Sequence, residues 1–301
     1  MVKGRIVDIK QLQSFLTLAE ELHFGRAARR LNIAQPALSL HIKALEQSLG
    51  LALFARDRRS VTLTYEGERL TQEVRAVLCA LKQLQSCAQG LRRGYRGRIR
   101  IGYVGSSILD PGITMLINHY RKKNPQVDIT IEEHCVNEQI TLLLGDGLDI
   151  GILRAPIPHY DELHSLNATT RPLVAVLPRS HPALAGRRIS LKALADEPFL
   201  IQKDPPGVGL GWSALTACER AGFVPRDIRF TRDVSSAMGL VSMGMGVTLV
   251  PETQLSAMLA DIGYCLLDDP QATTTLQMCW PRRAAGTPLL RFVQDARELF
   301  C

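Results

Sequence analysis

Side chains that could hold a nucleic acid are concentrated between residues 29 and 59. An amide such as that of Gln35 can form two hydrogen bonds with adenine, and hydroxyl and basic groups can bind bases or phosphates. Pro36 offers an apolar surface that can touch a thymine methyl group. The candidate contacts are Arg29, Arg30, Gln35, Pro36, Ser39, Leu40, His41, Lys43, Arg56, Arg58 and Arg59. These residue types predict DNA binding, provided that the local fold presents them on one surface.

The distribution of charge along the chain supports a polyanionic partner for this region. The 301 residues include 36 Lys and Arg and 29 Asp and Glu, a formal net charge of +7. Residues 1–63 carry ten basic and five acidic side chains, residues 64–97 carry six and three, and residues 98–301 carry twenty and twenty-one. A basic head on a near-neutral body predicts that the head binds a polyanion and that the body does something else. A basic surface without a partner is the alternative.

Apolar spacing predicts the elements that position these side chains. Residues 8–20 have the spacing of one amphipathic helix, and residues 23–50 have that of two short helices joined by a tight turn. Pro36 lies in the first turn of the last helix, where its missing N–H is not needed, and Gly50 ends that helix. The pattern is that of a helix-turn-helix. Residues 51–64 alternate like a β-hairpin with arginines at its tip, which is typical of a wing.

One long helix is predicted over residues 65–93. Its apolar residues recur with alternating gaps of four and three, which is the seam of a coiled coil. The seam residues are Leu70, Val74, Val77, Leu81, Leu84, Ala88 and Leu91. This favours packing against a partner helix, and packing on the chain's own core is the alternative. The Gly- and Arg-rich connector over residues 90–97 marks a domain boundary.

Segments of strand and helix length alternate in the body. Strands are predicted near residues 99–104, 127–131 and 148–153, with helices over residues 111–123 and 136–144 between them. Further strands are predicted at residues 173–177, 199–202, 228–232 and 247–250, and further helices at residues 190–195, 212–221, 235–243 and 288–300. Such alternation predicts parallel βαβ units with helices on both faces of a sheet.

Many residues of the chain occur in an order and spacing that is typical of one protein family. In the head these are Phe15, Phe24, Ala27, Ala28, Leu31, Gln35, Pro36, Ser39, Ile42, Leu45, Glu46, Leu49, Gly50, Leu53, Phe54, Arg56, Leu63, Thr64 and Gly67. In the body they include residues 99–102, Pro125, Gln139, residues 148–151, Leu177, Pro178, His181, Pro182, residues 221–223, Pro225, Gly246, Val247, Val250 and Pro251. At these positions the chain resembles the LysR-type transcriptional regulators over nearly its whole length.

The resemblance implies a multidomain α+β protein that regulates transcription rather than an enzyme. A winged helix-turn-helix domain is expected over residues 1–64 and a dimerising linker helix with its connector over residues 65–97. A periplasmic-binding-protein-like α/β effector domain is expected over residues 98–301. Its lobe I would span about 98–165 and 268–301, and its lobe II about 166–267. The implied partners are double-stranded promoter DNA, a small-molecule co-inducer, a second copy in a homodimer that pairs into a tetramer, and RNA polymerase.

The effector is expected between the two lobes of the body. Hydroxyls and N–H groups at Ser106 and Ser107, just after the first strand, suit a carboxylate, although an ordinary strand–helix turn would look the same. Relatives that bind small carboxylates often have Ser or Thr where this chain has Val136, which favours a less polar ligand there, or none. Arg154 is placed to pair with an anion. The expected effector residues are Ser106, Ser107, Val136, Arg154, Ile201 and Gln202. The expected co-inducer is a small organic acid, with aromatic acids among the candidates.

Two residues of the head differ from the family pattern, and two others are not expected to contact DNA. The family often has a basic residue where this chain has Leu40, and often Ser where it has Ala34, which removes a helix cap or phosphate contact. Glu46 is expected to be structural because an acid gains nothing beside phosphate. His23 is expected to cap a helix or to be solvated.

An enzyme and a thiol redox sensor are the alternative functions that the sequence leaves open. Residues 207–211 (GVGLG) resemble the glycine-rich nucleotide-binding loop of an enzyme. They match neither the dinucleotide-binding motif nor the P-loop motif. Seven scattered cysteines leave open a thiol redox sensor on the same scaffold. We expect neither a metal nor a cofactor, since no ligand spacing occurs. With no signal peptide or spanning segment in the pattern, a cytoplasmic protein with reduced thiols is expected.

Overall fold

The computed structural model describes residues 7–56, 61–92, 96–257, 259–283 and 286–300. By their internal contacts the residues divide into two compact units, residues 1–89 and residues 90–301. We call these units the head and the body.

Three helices, a hairpin and a long helix follow one another in the first part of the chain. They are α1 (Ile9–Glu21), α2 (Phe24–Arg30), α3 (Gln35–Leu49), β1 (Phe54–Arg56), β2 (Val61–Leu63) and α4 (Tyr65–Arg92). Local signals set the helix ends. Asp8 caps α1 by accepting from Lys10 N–H, and His23 caps α2 by accepting from Arg26 N–H, as expected for that histidine. Gly50 ends α3 in the left-handed region at φ 69°, where glycine is favoured.

The core of the head orients α3. Leu38, Ile42 and Leu45 are fully buried against Phe15 of α1. Because these three positions repeat at helical spacing, the remaining face of α3 is left at the surface. Glu46 has the structural role expected of it: its Oε1 accepts from the backbone N–H groups of Leu53, at 2.9 Å, and Phe54, at 3.3 Å. The helix is thereby tied to the start of the hairpin.

Helix α4 has two different halves. Val74 is only 6% exposed and, with half-buried Leu70, packs into the core of the head. This corrects the expected coiled-coil seam at Val74 and Leu70, because their own domain already covers them. Val77 is 51% exposed and Leu84 67% exposed. Leu81 is half-buried and Ala88 exposed, while the side chain of Leu91 lies outside the described residues.

The body is built from β-strands and helices that run to the end of the chain. The strands are β3 (Gly97–Tyr103), β4 (Val127–Glu133), β5 (Ile150–Arg154), β6 (Leu163–Pro178), β7 (Arg188–Ile189), β8 (Phe199–Gln202), β9 (Ile228–Thr231), β10 (Thr248–Pro251), β11 (Ile262–Leu267) and β12 (Thr273–Pro281). The helices are α5 (Pro111–Lys123), α6 (Val136–Leu144), α7 (Gly209–Arg220), α8 (Val234–Ser242) and α9 (Thr287–Phe300). Short 3₁₀ turns occur at Gly105–Ser107, Pro182–Ala185, Leu191–Leu194 and Glu252–Ala257.

The main sheet of the body is mixed, not wholly parallel as expected. Its strand order is β4-β3-β5-β12-β6-β11-β7, with β10 also paired to β6. Strand β3 pairs parallel with β4 and β5, whereas β12 pairs antiparallel with β5 and β6. Strands β7, β11, β12 and the first half of β6 were not predicted. In β12 and the first half of β6, polar residues such as the Thr run that opens β12 interrupt the continuous apolar pattern of a buried parallel strand.

Strand β6 crosses from one lobe of the body to the other. It pairs with β12 up to Pro172 and with β10 from Leu173 onward, later in the chain than the expected boundary at residue 166. Each lobe has its own core. In lobe I, Tyr120 packs against Phe292, with ring centroids 5.0 Å apart. In lobe II, Phe199 lies 6.0 Å from Phe223.

Gly67 provides a test of the packing between the hairpin and α4. A Cβ at this position would lie 2.2 Å from the carbonyl oxygen of Leu53, a backbone atom that cannot swing away. We expect Gly67→Ala to reduce the stability of the head by about 2 kcal/mol, as overpacking does. Both tryptophans, Trp212 and Trp280, lie in the body. In urea, the circular-dichroism transition should therefore move while the tryptophan fluorescence transition stays in place.

Gly239→Ala is the matched control. This helical glycine of α8 has nothing within 4 Å of an added Cβ. The substitution should leave the body as stable or up to about 1 kcal/mol more stable. Identical unfolding curves for Gly67→Ala and the wild type would contradict the described contact with Leu53.

Candidate functional site

The exposed face of α3 brings together most of the residues predicted to contact DNA. Gln35, Pro36 and Lys43 are exposed, and Ser39 is half-buried beside them. Leu40 is 66% exposed, a high value for a leucine in the middle of a helix. Ala34, the residue before the helix, forms no side-chain cap. The first turns of α3 therefore present amide, hydroxyl, ammonium and apolar groups on one convex surface.

His41 is turned away from this face. Its Nδ1 lies 2.9 Å from the hydroxyl of Ser14, a buried residue of α1. Imidazole and hydroxyl form a hydrogen bond that ties α3 to α1. The half-buried ring thus has a partner within the head, and the contact of His41 with DNA remains a prediction.

The two arginines at the end of α2 have different surroundings. Arg30 forms ion pairs with Glu20, at 2.8 Å, and Glu21, at 3.2 Å. Hydrogen bonds from Arg26 and Arg30 lower the pKa of Glu21 below its ordinary value. These ion pairs compensate part of the charge of Arg30, whose side chain is about half exposed, and its contact with DNA remains a prediction. Arg29 is exposed and donates only to the carbonyl of Gly25, with no ion pair among the described residues.

The wing is described only in part. Arg56 ends β1, and its backbone pairs with Val61 of β2. The side chain of Arg56, and Arg58 and Arg59 as a whole, lie outside the described residues. Their contact with DNA remains a prediction from the sequence.

A cavity of about 520 Å³ opens between the two lobes of the body. Its lobe I wall comes from the end of β3, the end of β4 and the start of α6. Its lobe II wall comes from residues that follow β8 and β9. The lining residues are Val104, Gly105, Ser106, Glu133, His134, Cys135, Val136, Glu138, Gln202, Lys203, Asp204, Arg232 and Asp233. The cavity thus contains three of the predicted effector residues, Ser106, Val136 and Gln202, and its size suits a small molecule.

Arg154 lies beneath this cavity, in contact with Ser106. It is 2% exposed, and its Nε donates to the Ser106 hydroxyl at 3.1 Å. Its remaining bonds go to the Thr274 hydroxyl, at 3.3 Å, and the Ser106 carbonyl, at 3.4 Å. Burial lowers the pKa of Arg154 to about 10, against the raising effect of Asp110 and Asp204. At neutral pH the guanidinium is charged, and it has no carboxylate within ion-pair distance among the described residues.

Two predicted effector residues do not reach the cavity. The hydroxyl of Ser107 is buried and donates to the carbonyl of Val104 at 2.7 Å. Ile201 is 2% exposed and packs in the core of lobe II. Both expectations are corrected. Ser107 lies on the Gly105–Ser107 turn with its hydroxyl bonded inward, and on β8 the side chains of Ile201 and Gln202 alternate so that only Gln202 lines the cavity.

Four residues at the cavity were not predicted from the sequence. Gln254 of lobe II donates to the Ser106 carbonyl at 2.9 Å, which joins the two lobes at the floor of the cavity. Glu133, Lys203 and Arg232 line the cavity as charged side chains. The last three follow or end strands, a position that could have singled them out. Gln254 lies on a 3₁₀ turn that carries no sequence signal.

The cysteines of the described residues do not form a reactive pair. Burial raises the pKa of Cys218 and of Cys279 to about 12, so both remain thiols at neutral pH. Burial also raises the pKa of Cys265 and of Cys135. A redox sensor needs an accessible thiolate, so none of these four is favoured for that role.

Neither a metal-binding group nor a membrane-spanning helix is found among the described residues. No group of three or more His, Cys, Asp and Glu side chains there is placed to hold a metal ion. In the same part of the chain, no helix combines the length and apolar character required to cross a membrane.

The chain matches two family models. Residues 9–68 match the bacterial regulatory helix-turn-helix proteins of the lysR family. Residues 92–299 match the LysR substrate binding domain. Among relatives, the HTH-type transcriptional regulator AlsR of Bacillus subtilis is 35% identical over 285 residues, which is 95% of this chain and 93% of AlsR.

Solved structures show the same architecture. The crystal structure of CbnR, a LysR family transcriptional regulator, has a TM-score of 0.78 at 21% identity and covers 98% of this chain and 99% of its own. The BenM effector binding domain with its effector benzoate has a TM-score of 0.60 at 25% identity, over 68% of this chain and 93% of that domain. BenM of Acinetobacter baylyi is itself 30% identical to this chain over 296 residues, 98% of this chain and 96% of BenM.

Proposed function

The chain belongs to the LysR family of DNA-binding transcriptional regulators whose activity small molecules modulate, and we propose that its own effector is a small organic acid bound between the lobes of the body. Its relatives are transcriptional regulators, so we assign the body to sensing rather than to catalysis. We place the protein in the cytoplasm, where a bacterial regulator meets its promoter DNA.

The observation that carries the acid effector is the hydrogen bonding of Ser106. Its hydroxyl oxygen accepts from the buried guanidinium of Arg154, so the hydroxyl proton is left to donate towards the cavity. A hydroxyl backed by a buried cation is a good donor to an anion, because charge strengthens each bond in the chain. Ser106 is 6% exposed, which shields that bond from water. Benzoate, the effector of BenM, is an acid of this kind.

For DNA we propose that α3 enters the major groove with its first turns at the base edges. Gln35 is assigned to adenine, Leu40 and Pro36 to thymine methyl groups, and Ser39 to a base or phosphate. Lys43, Arg29, Arg56, Arg58 and Arg59 are assigned to phosphates. Arg30 and His41 are assigned weaker contacts than these residues, since each has partners within the head.

We propose a homodimer through the outer half of α4. Val77 and Leu84 are more than half exposed and lie on the heptad stripe with Leu81, Ala88 and Leu91. Apolar side chains at this spacing gain most by packing against the same stripe of a second copy. Pairing of dimers into a tetramer, and contact with RNA polymerase at the promoter, are parts of the same proposal.

Leu40 gives a chemical test of base reading. In an operator chosen by selection with the wild-type protein, replacing the contacted thymine with deoxyuridine removes only a methyl group. We expect this to weaken wild-type binding about fourfold, the value for burying one methyl-sized group at ~0.8 kcal/mol. Leu40→Ala should bind both operators equally. Competitive electrophoretic mobility shift at fixed salt measures the ratio.

Leu49→Ala is the matched control, because Leu49 is an exposed leucine at the far end of α3. It should keep the wild-type response to deoxyuridine. If Leu40→Ala also keeps that response, the methyl contact belongs to Pro36 or another residue and the assignment of Leu40 is wrong.

Ser106→Ala tests the acid effector. It removes the donor that faces the cavity, and we expect it to weaken binding of the tightest acid about tenfold, as the loss of a bond to a charged group does. The probes are benzoate and a panel of aliphatic and aromatic carboxylates, with calorimetry on the full chain as the measurement.

Ser107→Ala controls for the loss of a buried hydroxyl. Because that hydroxyl bonds to Val104 and does not line the cavity, acid affinity should change less than about twofold. Equal losses in both variants would place the acid elsewhere. If no carboxylate binds to the wild type, the acid effector is wrong.

A further inference from the structure

Glu133 places a carboxylate beside the proposed acid site. A Cβ built on Gly105 would lie 2.6 Å from Glu133 Oε1, so the carboxylate rests against the backbone of the residue before Ser106. Glu133 is exposed at the end of β4 and lines the cavity. Among the described residues it has neither an ion pair nor a hydrogen bond. A proton donor at Ser106 and an uncompensated acceptor at Glu133 therefore stand side by side on the lobe I wall.

This arrangement disfavours an acid that carries negative charge alone. A carboxylate bound at Ser106 would lie close to Glu133, and like charges in a partly enclosed site repel. A ligand that also carries an ammonium group near its carboxylate could bind both Ser106 and Glu133. The ammonium would donate to Glu133 while the carboxylate accepts from Ser106.

The facing wall carries two cations beside Asp204 and Asp233. Lys203 and Arg232 of lobe II line the same cavity and have no ion pair among the described residues. Cations on this wall suit the carboxylate end of a ligand that spans the opening.

The other three acidic side chains of the cavity accept hydrogen bonds from within the body. Asp204 accepts from Gly211 N–H at 2.9 Å and from the Gln202 amide at 3.2 Å. Asp233 caps α8 through Ser236 N–H at 2.7 Å. Glu138 accepts from Cys135 N–H at 3.2 Å. Bonds from neutral donors leave the charges of these three carboxylates in place. Glu133, Lys203 and Arg232 are the charged side chains of the cavity that have neither a hydrogen bond nor an ion pair among the described residues, which leaves one carboxylate and two cations for a zwitterion.

We propose that the effector of this protein is an amino acid or a close zwitterionic derivative, with its ammonium group at Glu133 and its carboxylate at Ser106, Lys203 and Arg232. The inference rests on the proposed acid effector and narrows its chemical class. Glu133 is the residue that distinguishes a zwitterion from a plain acid.

Calorimetry on the full chain with matched ligands tests the proposal. The probes are the common amino acids, their deamino acids such as isocaproate for leucine and hydrocinnamate for phenylalanine, and the amines isoamylamine and phenethylamine. We expect at least one amino acid to bind the wild type about tenfold more tightly than its deamino acid, as a charge-assisted bond allows. In Glu133→Gln that ratio should fall below about threefold through loss of amino acid affinity. Glu219→Gln, an exposed acid of α7 away from the cavity, should keep the wild-type ratio.

The outcomes separate the two proposals. If deamino acids bind the wild type as tightly as amino acids, or if Glu133→Gln keeps the preference, the zwitterion is wrong while the acid effector stands. If the amines bind as tightly as the amino acids, or if no ligand with a carboxylate binds, both proposals are overturned.

Discussion

The body is organised around a guanidinium that is buried without a carboxylate partner. Removing a charge from water is expensive unless hydrogen bonds replace the lost hydration. Around Arg154 those bonds come from neutral groups, the Ser106 hydroxyl, the Ser106 carbonyl and the Thr274 hydroxyl. Arg154 ends β5, Ser106 follows β3, and Thr274 lies on β12, so solvating one cation holds three strand ends in register. Asp110 and Asp204 act on this charge only from beyond ion-pair distance.

The same group of contacts connects the lobes. The Ser106 carbonyl also accepts from Gln254 of lobe II, so the residue that faces the ligand touches both halves of the body. At the crossing strand, Arg171 of β6 binds buried Asp110 at 2.8 and 3.1 Å. Burial would raise the pKa of Asp110, but bonds from Arg171, Thr169 and Gly112 N–H outweigh it and hold that pKa below its ordinary value. An effector that binds one arrangement of the lobes more tightly shifts their population, and by linkage DNA affinity and effector affinity change each other equally.

The sequence predicted those parts in which local spacing decides the structure. The inner positions Leu38, Ile42 and Leu45 fixed the outer face of α3, and the helices of lobe I follow the predicted ranges closely. Strand β12 was missed because its sheet partners are distant in sequence and its polar residues mask its burial. The partners of Arg30 and His41 within the head were not predicted, because residue type alone does not show that Glu20, Glu21 and Ser14 lie within reach. The site was half predicted: Ser106 came from a strand end, but Glu133 against Gly105 is a tertiary contact without a local signal.

The central claim is that the effector site draws its affinity for acids from Arg154 acting through Ser106. Arg154→Met tests it most directly, because methionine is of similar length and its apolar side chain cannot donate to Ser106. The account predicts that a cooperative thermal transition of the body, followed by tryptophan fluorescence, persists in the variant at a lower midpoint, because the bonds to Ser106 and Thr274 are lost. It also predicts that the calorimetric affinity for the tightest-binding acid falls at least about tenfold. A folded variant that binds this acid as tightly as the wild type would contradict the account.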